Sequence, residues 1–448
     1  MPKPSPVAGA VTALLFVAST GMSVPASAQG TRVLDSQQFA PASSTAEWPQ
    51  FGYDAGQTAF NPIEKTITTQ NVSSLQIAWN DASIIQPGGI VVDKGVAYVD
   101  DEGQTGAGLY ALDAATGAQK WFAQVNLNGG WGNFIHPVSA VAGSVVVTPC
   151  SNGQSTFLTG LCGVNAKTGA ILWTHLCSQY QGGGCEGIVN GTSPTLYQSR
   201  IIFQTTEGIN EQPDTEAINP KTGALLWDVP GAYHCPDAGD TSGNPLPGAN
   251  GLAFAVLGCQ GPSGGTEICA FSATSGSTAW CCNSESAYVS QLIAGGGKLF
   301  VAEPAAGGFE VLALDAKTGK QEWTASLPGA GTALALDKTR LFVSAGPNGV
   351  YALATTNGKQ LWSYTANGNY TLGGVLSVAN GIVYTDGGGG NNGNDGLTAL
   401  DATTGSLIAA SSFGNGSAPA TPVIVNGAIY LGCYTLCALT LPGNQMRF

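Results

Sequence analysis

Seven copies of one short pattern predict an all-β chain folded as an eight-bladed propeller of four-stranded antiparallel blades. The stretch "LYALDAATGAQKW", residues 109–121, returns as "CGVNAKTGAILW", "TEAINPKTGALLW", "ICAFSATSGSTAW", "VLALDAKTGKQEW" and "VYALATTNGKQLW". A last copy, "LTALDATTGSLIA", has Ala409 where the tryptophan should stand. The tryptophans at 79, 121, 173, 227, 280, 323 and 362 are 39 to 54 residues apart, a period that belongs to propellers and solenoids. Composition agrees, since 64 glycines and only 10% charged residues suit a turn-rich β protein, and no segment sustains helical periodicity.

The elements follow in chain order. Residues 1–28 predict a secretory signal peptide, with Lys3, an apolar run from Val7 to Ala18 and Ala26-Ser27-Ala28 before the expected cleavage. That run is too short to span a bilayer, and no later stretch is long enough. Residues 29–46 are expected to be a flexible leader and 47–448 the propeller domain. "SSLQIAW", ending at Trp79, is a tryptophan strand without three strands before it. "TPVIVNGAIYLGCYTLCALTLP" supplies three strands with no tryptophan strand after them. Joined, they make a composite eighth blade that removes a sheet edge.

Within each repeat the Asp or Asn side chain bonds forward to the turn backbone, and the glycine takes the positive φ of a tight hairpin. Asn165 and Asn219 substitute conservatively for the Asp; Ser272 and Ala354 weaken that position, and Asn357 replaces the threonine. The tryptophan then presents a flat surface to the next blade. Burying roughly 200 Å² at about 25 cal/mol per Å² is worth at most ~5 kcal/mol per contact.

These residues resemble the pyrroloquinoline-quinone (PQQ) repeat family, whose blades carry an A-x-D-x-x-T-G-x-x-x-W docking motif. The resemblance covers about residues 47 to 442, including "WPQFGYDAGQTAFNP". It implies the propeller, and it implies one of two roles, because the family holds both quinoprotein dehydrogenases and a non-enzymatic propeller lipoprotein of the β-barrel assembly machinery. The adjacent Cys281 and Cys282 are similar to the vicinal disulfide that covers the quinone in the dehydrogenases; alternatively one of them pairs with Cys235. Glu207, in "TTEGINEQPDTEAINPKTG", resembles the family's calcium-binding Glu. The accompanying G-N and D-x-W-D segments are missing, with Cys259-Gln260-Gly261-Pro262 where the G-N is expected. The sequence therefore points first to a binding module with no cofactor, and second to a PQQ- and calcium-dependent dehydrogenase of alcohols, polyols or sugars.

A net charge of −13 argues against nucleic acid and anionic membrane as partners. Eleven cysteines suit an oxidising compartment, so a secreted or envelope-exterior monomer is expected, with a small ligand or a protein as partner. The long insertions "NLNGGWGNFIHP", "CSQYQGGGCEGIVNGTSP", "YHCPDAGDTSGNPLPGANG" and "DGGGGNNGNDG" all fall on the face opposite the Thr-Gly turns, where binding is expected. Candidate ligand-binding residues there are Trp131, His136, Tyr180, Glu207, Tyr233, His234 and Tyr370. The aromatic ones offer a platform for a sugar or peptide, or pin their own loops. The run from Asp386 to Asp395 offers oxygen ligands for Ca²⁺ without fitting an EF-hand. His175, just past a motif tryptophan, carries no clear role. Cys150 with Cys162, Cys259 with Cys269, and Cys433 with Cys437 sit at equivalent hairpin mouths and are expected to pair, and Cys177 with Cys185 to close one interblade loop.

Overall fold

A computed structural model describes residues 47–84, 87–101, 108–125, 139–151, 159–176, 185–188, 193–207, 212–230, 246–259, 266–284, 286, 289–329, 331, 333–346, 349–365, 374–387, 396–412, 421–433 and 435–444. The proposed signal peptide and leader lie outside these residues. Eight antiparallel sheets follow one another along the chain and form an eight-bladed propeller. The first blade runs Pro87–Asp93, Val96–Asp101, Gly108–Asp113 and Gln119–Ala123 from the inside outward, and the next six repeat this order. The eighth is composite: Val423–Val425, Ala428–Cys433 and Thr435–Thr440 are completed by the N-terminal strand Gln76–Asp81. The third blade gains a fifth strand, Cys185–Ile188, from within an insertion, paired with the end of Arg200–Glu207. Among the described residues there is no α-helix, and Val72–Ser74 forms a 3₁₀ turn.

The repeated motif is the joint between blades. Each tryptophan indole donates Nε1–H to a carbonyl in the next blade's turn. Trp79 reaches Ala114 O, Trp121 reaches Ala166 O, Trp173 reaches Pro220 O and Trp227 reaches Ala273 O, all at 3.1 Å. Trp280, Trp323 and Trp362 repeat the bond to Ala316, Thr355 and Ala402. The same indole lies flat on the turn glycine. A Cβ on Gly117 or Gly169 would meet the ring of Trp79 or Trp121 at 2.8 Å, and both glycines have φ of +74°. Glycine is thus required twice, for its backbone angle and for the missing side chain. The turn acids act as expected, with Asp113 Oδ1 accepting from Thr116 N at 3.1 Å and Thr116 Oγ1 at 3.0 Å. Where Ala354 replaces the acid, the main-chain bond from Gly358 N to Ala354 O still closes the turn at 2.9 Å.

A second device runs across all the blades at once. The segment from Trp48 to Asn61 bonds to the innermost strands in ring order, from the first blade to the eighth. Trp48 pairs with Val92, Pro49 O accepts from Val141 N and Gln50 Oε1 accepts from Leu196 N. Ala55 O takes Gly248 N, Gly56 O takes Ala294 N, Thr58 O takes Leu336 N and Ala59 O takes Val378 N. Asn61 Nδ2 ends the circuit on Ile424 O at 2.7 Å. These contacts all fall beside the turns between first and second strands, so the belt rings the turn-face end of the propeller axis. Tyr53, Gln57 and Ala59 adopt positive φ within it, a cost borne because the neighbouring blades fix the path.

The disulfides correct part of the sequence reading. Cys150 is joined to Cys162 and Cys433 to Cys437. Cys269, expected to take Cys259, is joined to Cys281. The reason is register: Cys269 stands directly opposite Cys281 on the outer strand, with Cα atoms 4.1 Å apart, whereas opposite Cys269 on the second strand is Ala255, four residues short of Cys259. Cys281 therefore forms neither a vicinal pair nor a bond to Cys235. Cys282 keeps its thiol, which burial pushes up to about 11. Cys177, Cys235 and the side chains of Cys185 and Cys259 lie outside the described residues.

Candidate functional site

The two ends of the propeller are built differently. On the turn face, connections between first and second strands and between third and fourth are two to six residues long, as at 94–95 and 219–224. Apart from 62–75, which runs along the turn face from the belt to the strand Gln76–Asp81, the long connections, including 124–139, 177–194, 230–247 and 413–422, leave from the other end. Strand ends on a rigid scaffold feeding long loops are the usual bed of a binding site.

Charge is divided between the same two ends. Of 15 Lys and Arg, Lys3, Arg32 and Arg447 lie outside the described residues. Lys94, Arg200, Lys298, Lys338 and Arg340 stand at the turns between first and second strands. Lys120, Lys167, Lys221, Lys317, Lys320 and Lys359 stand at the Thr-Gly turns, and Lys65 follows the belt. None of the twelve is at the loop-rich end, and the sequence joining the strands there contains no Lys or Arg. Acids are frequent at that end, among them Asp81, Asp101, Asp214, Asp228, Glu310 and Asp386.

Two buried carboxylates occupy equivalent positions, five residues into the second strands of the first and seventh blades. Asp100 is saturated by the next blade: Ser139 N and Ser139 Oγ donate to Oδ2 at 3.1 and 2.8 Å, and Thr148 Oγ1 donates to Oδ1 at 2.8 Å. Asp386, 4% exposed, accepts from Val375 N at 3.3 Å through Oδ1, but Oδ2 has no partner. The next blade explains this, since it places Pro422 and Leu431 where the second blade has Ser139 and Thr148. Burial pushes both carboxyls up to about 6, against the pull of their hydrogen bonds. Two residues earlier on the same strand, the buried Tyr384 hydroxyl is also without a partner.

The sequence-predicted site residues are distributed as follows. Trp131, His136, Tyr180, Tyr233, His234 and Tyr370 belong to connections at the loop-rich end and lie outside the described residues, as do 388–395 of the proposed Ca²⁺ run. Glu207 closes the strand Arg200–Glu207 at that end; its side chain is not among the described ones. His175 has a defined place after all. Its Nε2 lies 2.8 Å from Glu216 Oε2 and its Nδ1 3.0 Å from Gly223 O, which ties the second blade to the third. Asp100 and Asp386 escaped sequence reading because their distinction lies in the neighbouring blade.

A quinone site fits these residues poorly. Cys281 is committed to Cys269, on the third and outermost strands of the fourth blade, away from the propeller axis. PQQ carries three carboxylates, and among the described residues no lysine or arginine stands at the loop-rich end to meet them.

The family described as outer membrane protein assembly factor BamB matches this chain in three overlapping stretches, residues 70–256, 214–331 and 264–443. The chain is 25% identical over 302 residues to tetrathionate hydrolase of Acidithiobacillus ferrooxidans, covering 62% of this chain. It spans about half the length of that curated relative, 53%. Among solved structures, quinohemoprotein alcohol dehydrogenase from Comamonas testosteroni is similar with a TM-score of 0.64 and 14% identity, covering 92% of this chain and 83% of that one. BamB from Moraxella catarrhalis is similar with a TM-score of 0.50 and 18% identity, covering 73% and 93%. At these identities the structural likeness is one of fold.

Proposed function

The chain belongs to the PQQ-repeat family of outer membrane protein assembly factor BamB, and from this premise we propose that it acts outside the cytoplasm as a binding module, engaging a ligand or protein through its loop-rich face without a quinone. The observation that carries this reading is the opposite construction of the two ends. One is ringed by a belt and short turns, and the other bears the long connections between consecutive blades. Disulfides among the described cysteines suit an oxidising compartment, and no helix among the described residues is long and apolar enough to cross a membrane. Monomeric state and export belong to the same proposal.

The test is titration of the mature protein with PQQ, with and without Ca²⁺, by tryptophan fluorescence, followed by dye reduction with alcohols and sugars. No saturable binding is expected. Calcium-dependent binding with substrate-dependent dye reduction would make the chain a dehydrogenase. A hydrolytic reading is favoured by one observation, the 25% identity to tetrathionate hydrolase. Incubation with tetrathionate at pH 3 and pH 7 decides it, since release of thiosulfate would replace the binding role with a catalytic one.

A further inference from the structure

We infer that the disulfide between Cys269 and Cys281 covers a metal site. On two-electron reduction its sulfurs, with the carboxylate of Glu267, take a thiophilic divalent cation such as Zn²⁺. The site lies on the third and outermost strands of the fourth blade, Thr266–Ser272 and Thr278–Ser284, and draws on no connection at either end of the propeller. It is independent of what the loop-rich face binds.

One ligand atom from each of Glu267, Cys269 and Cys281 lies within 4.8 Å of the other two. Zinc holds thiolates at about 2.3 Å and carboxylate oxygens at about 2.0–2.2 Å, so tetrahedral ligand atoms stand roughly 3.5–4 Å apart. Small side-chain rotations close the difference. The strand period explains the cluster, because Cys269 stands opposite Cys281 and Glu267, two residues before Cys269, shares its face. Among the described residues, neither Cys150 with Cys162 nor Cys433 with Cys437 belongs to such a group.

The two cysteines do not depend on their bond to stay together. The ladder continues on both sides of them, with Ala270 opposite Trp280 and Ile268 opposite Cys282. Trp280 Nε1 also donates to Ala316 O of the fifth blade at 3.1 Å. Cys282 takes no part, since strand alternation turns it to the other face, where it packs with apolar side chains of the fourth and fifth blades. Cys269 packs with those of the third and fourth.

Cys281 is exposed and Cys269 fully buried, so an incoming dithiol reaches Cys281. Its thiolate attacks the Cys281 sulfur, the S–S bond breaks, and Cys269 leaves with the electron pair and takes a proton. The second thiol of the reductant then attacks the mixed disulfide, releasing Cys281 and leaving the reductant as a disulfide. Binding of the cation expels two thiol protons. Two thiolates and one carboxylate supply three ligands, and water fills the fourth position.

The probe is Co²⁺, whose thiolate complexes absorb in the near ultraviolet. Mature protein, untreated or reduced with dithiothreitol and freed of it without air, is titrated with Co²⁺ and then with Zn²⁺. A saturable thiolate band, displaced by Zn²⁺, is expected in the reduced protein alone. In the wild-type chain, bound metal should slow alkylation at Cys269 and Cys281 and at no other cysteine. Glu267→Gln should weaken the affinity about tenfold or more, Cys281→Ser should abolish the band, and Cys282→Ser should leave it unchanged. A folded chain whose Cys269 to Cys281 bond resists dithiothreitol, a reduced chain with no thiolate band, or protection at other cysteines overturns the inference. So does a loss of hydrogen-exchange protection across 266–284 on reduction, because the ladder then fails to hold the ligands. An affinity indifferent to Glu267→Gln overturns the ligand set.

Discussion

Seven of the eight joints between blades are alike, and the eighth is not. At the seven, a tryptophan from one outer strand covers the turn glycine of the next blade and donates to the adjoining carbonyl. Between the seventh and eighth blades Ala409 stands in the tryptophan position, and no Thr-Gly turn faces it, because the third and fourth strands of the eighth blade come from opposite ends of the chain. That joint is made by the N-terminal segment. Glu64 Oε1 accepts from Thr66 N and Ile67 N, and Oε2 from Gly427 N at 3.0 Å. Asn380 Nδ2 donates to Ile67 O at 2.7 Å, and Leu75 packs among the apolar side chains of the closing blades. A covalently continuous repeat can reuse one apolar dock; the closing joint needs polar groups that fix a single register. It also holds two buried polar atoms without a hydrogen-bond partner, Tyr384 OH and Asp386 Oδ2.

The comparison breaks most visibly at a regular joint. Trp323→Ala removes a nearly buried indole and its bond to Thr355 O, and should cost roughly 3–5 kcal/mol, read as a lower denaturation midpoint at unchanged slope. At the closing joint, Glu64→Ala orphans three backbone N–H groups around a buried position and should cost about 2–4 kcal/mol. Hydrogen exchange distinguishes the two, since the Glu64 variant should lose protection first at 64–67 and 427, and the Trp323 variant in the fifth and sixth blades.

Acidity sharpens the contrast further. Asp54 in the belt, Asp100 and Asp386 have carboxyls pushed up to about 6 by burial. A raised carboxyl contributes stability that is complete below its ordinary value and lost as pH rises through about 6. The turn acids Asp315, Asp113 and Asp401 go the other way. Hydrogen bonds from Thr318 hold Asp315 low, while bonds from Lys120 and Thr116 and from Thr403 and Thr404 outweigh burial at the other two. Their contribution is present above the ordinary carboxyl range and lost as pH falls through their lowered values. Melting temperature should therefore fall between pH 4 and pH 7, and Asp386→Asn should remove part of that fall, about 1–3 kcal/mol. The smallest effect expected is that of Ala409→Trp. With no turn glycine to receive the ring, it should add less than about 0.5 kcal/mol of stability, where a true missing dock would restore several.

The ring was legible because its joints are local. Asp, Thr, Gly and Trp sit within one hairpin, so blade number and the composite eighth blade could be read from spacing. Three features were not legible. The belt residues Trp48 to Asn61 meet eight strands as distant as Ile424, and nothing in their own pattern announces those partners. The disulfide of Cys269 depended on register, which an unpaired count of residues from strand ends misses. Asp386 is an ordinary strand-end acid until the neighbouring Pro422 and Leu431 are seen to withhold its donors.

The most direct measurement of the difference between the two ends is paired photo-crosslinking in the source cell. One photo-reactive residue replaces the exposed Asp228 at the loop end and one replaces the exposed Lys167 at the turn end. The expected result is a discrete adduct from position 228 and none from 167. An adduct from 167 with none from 228 would place function on the turn face and contradict the proposal.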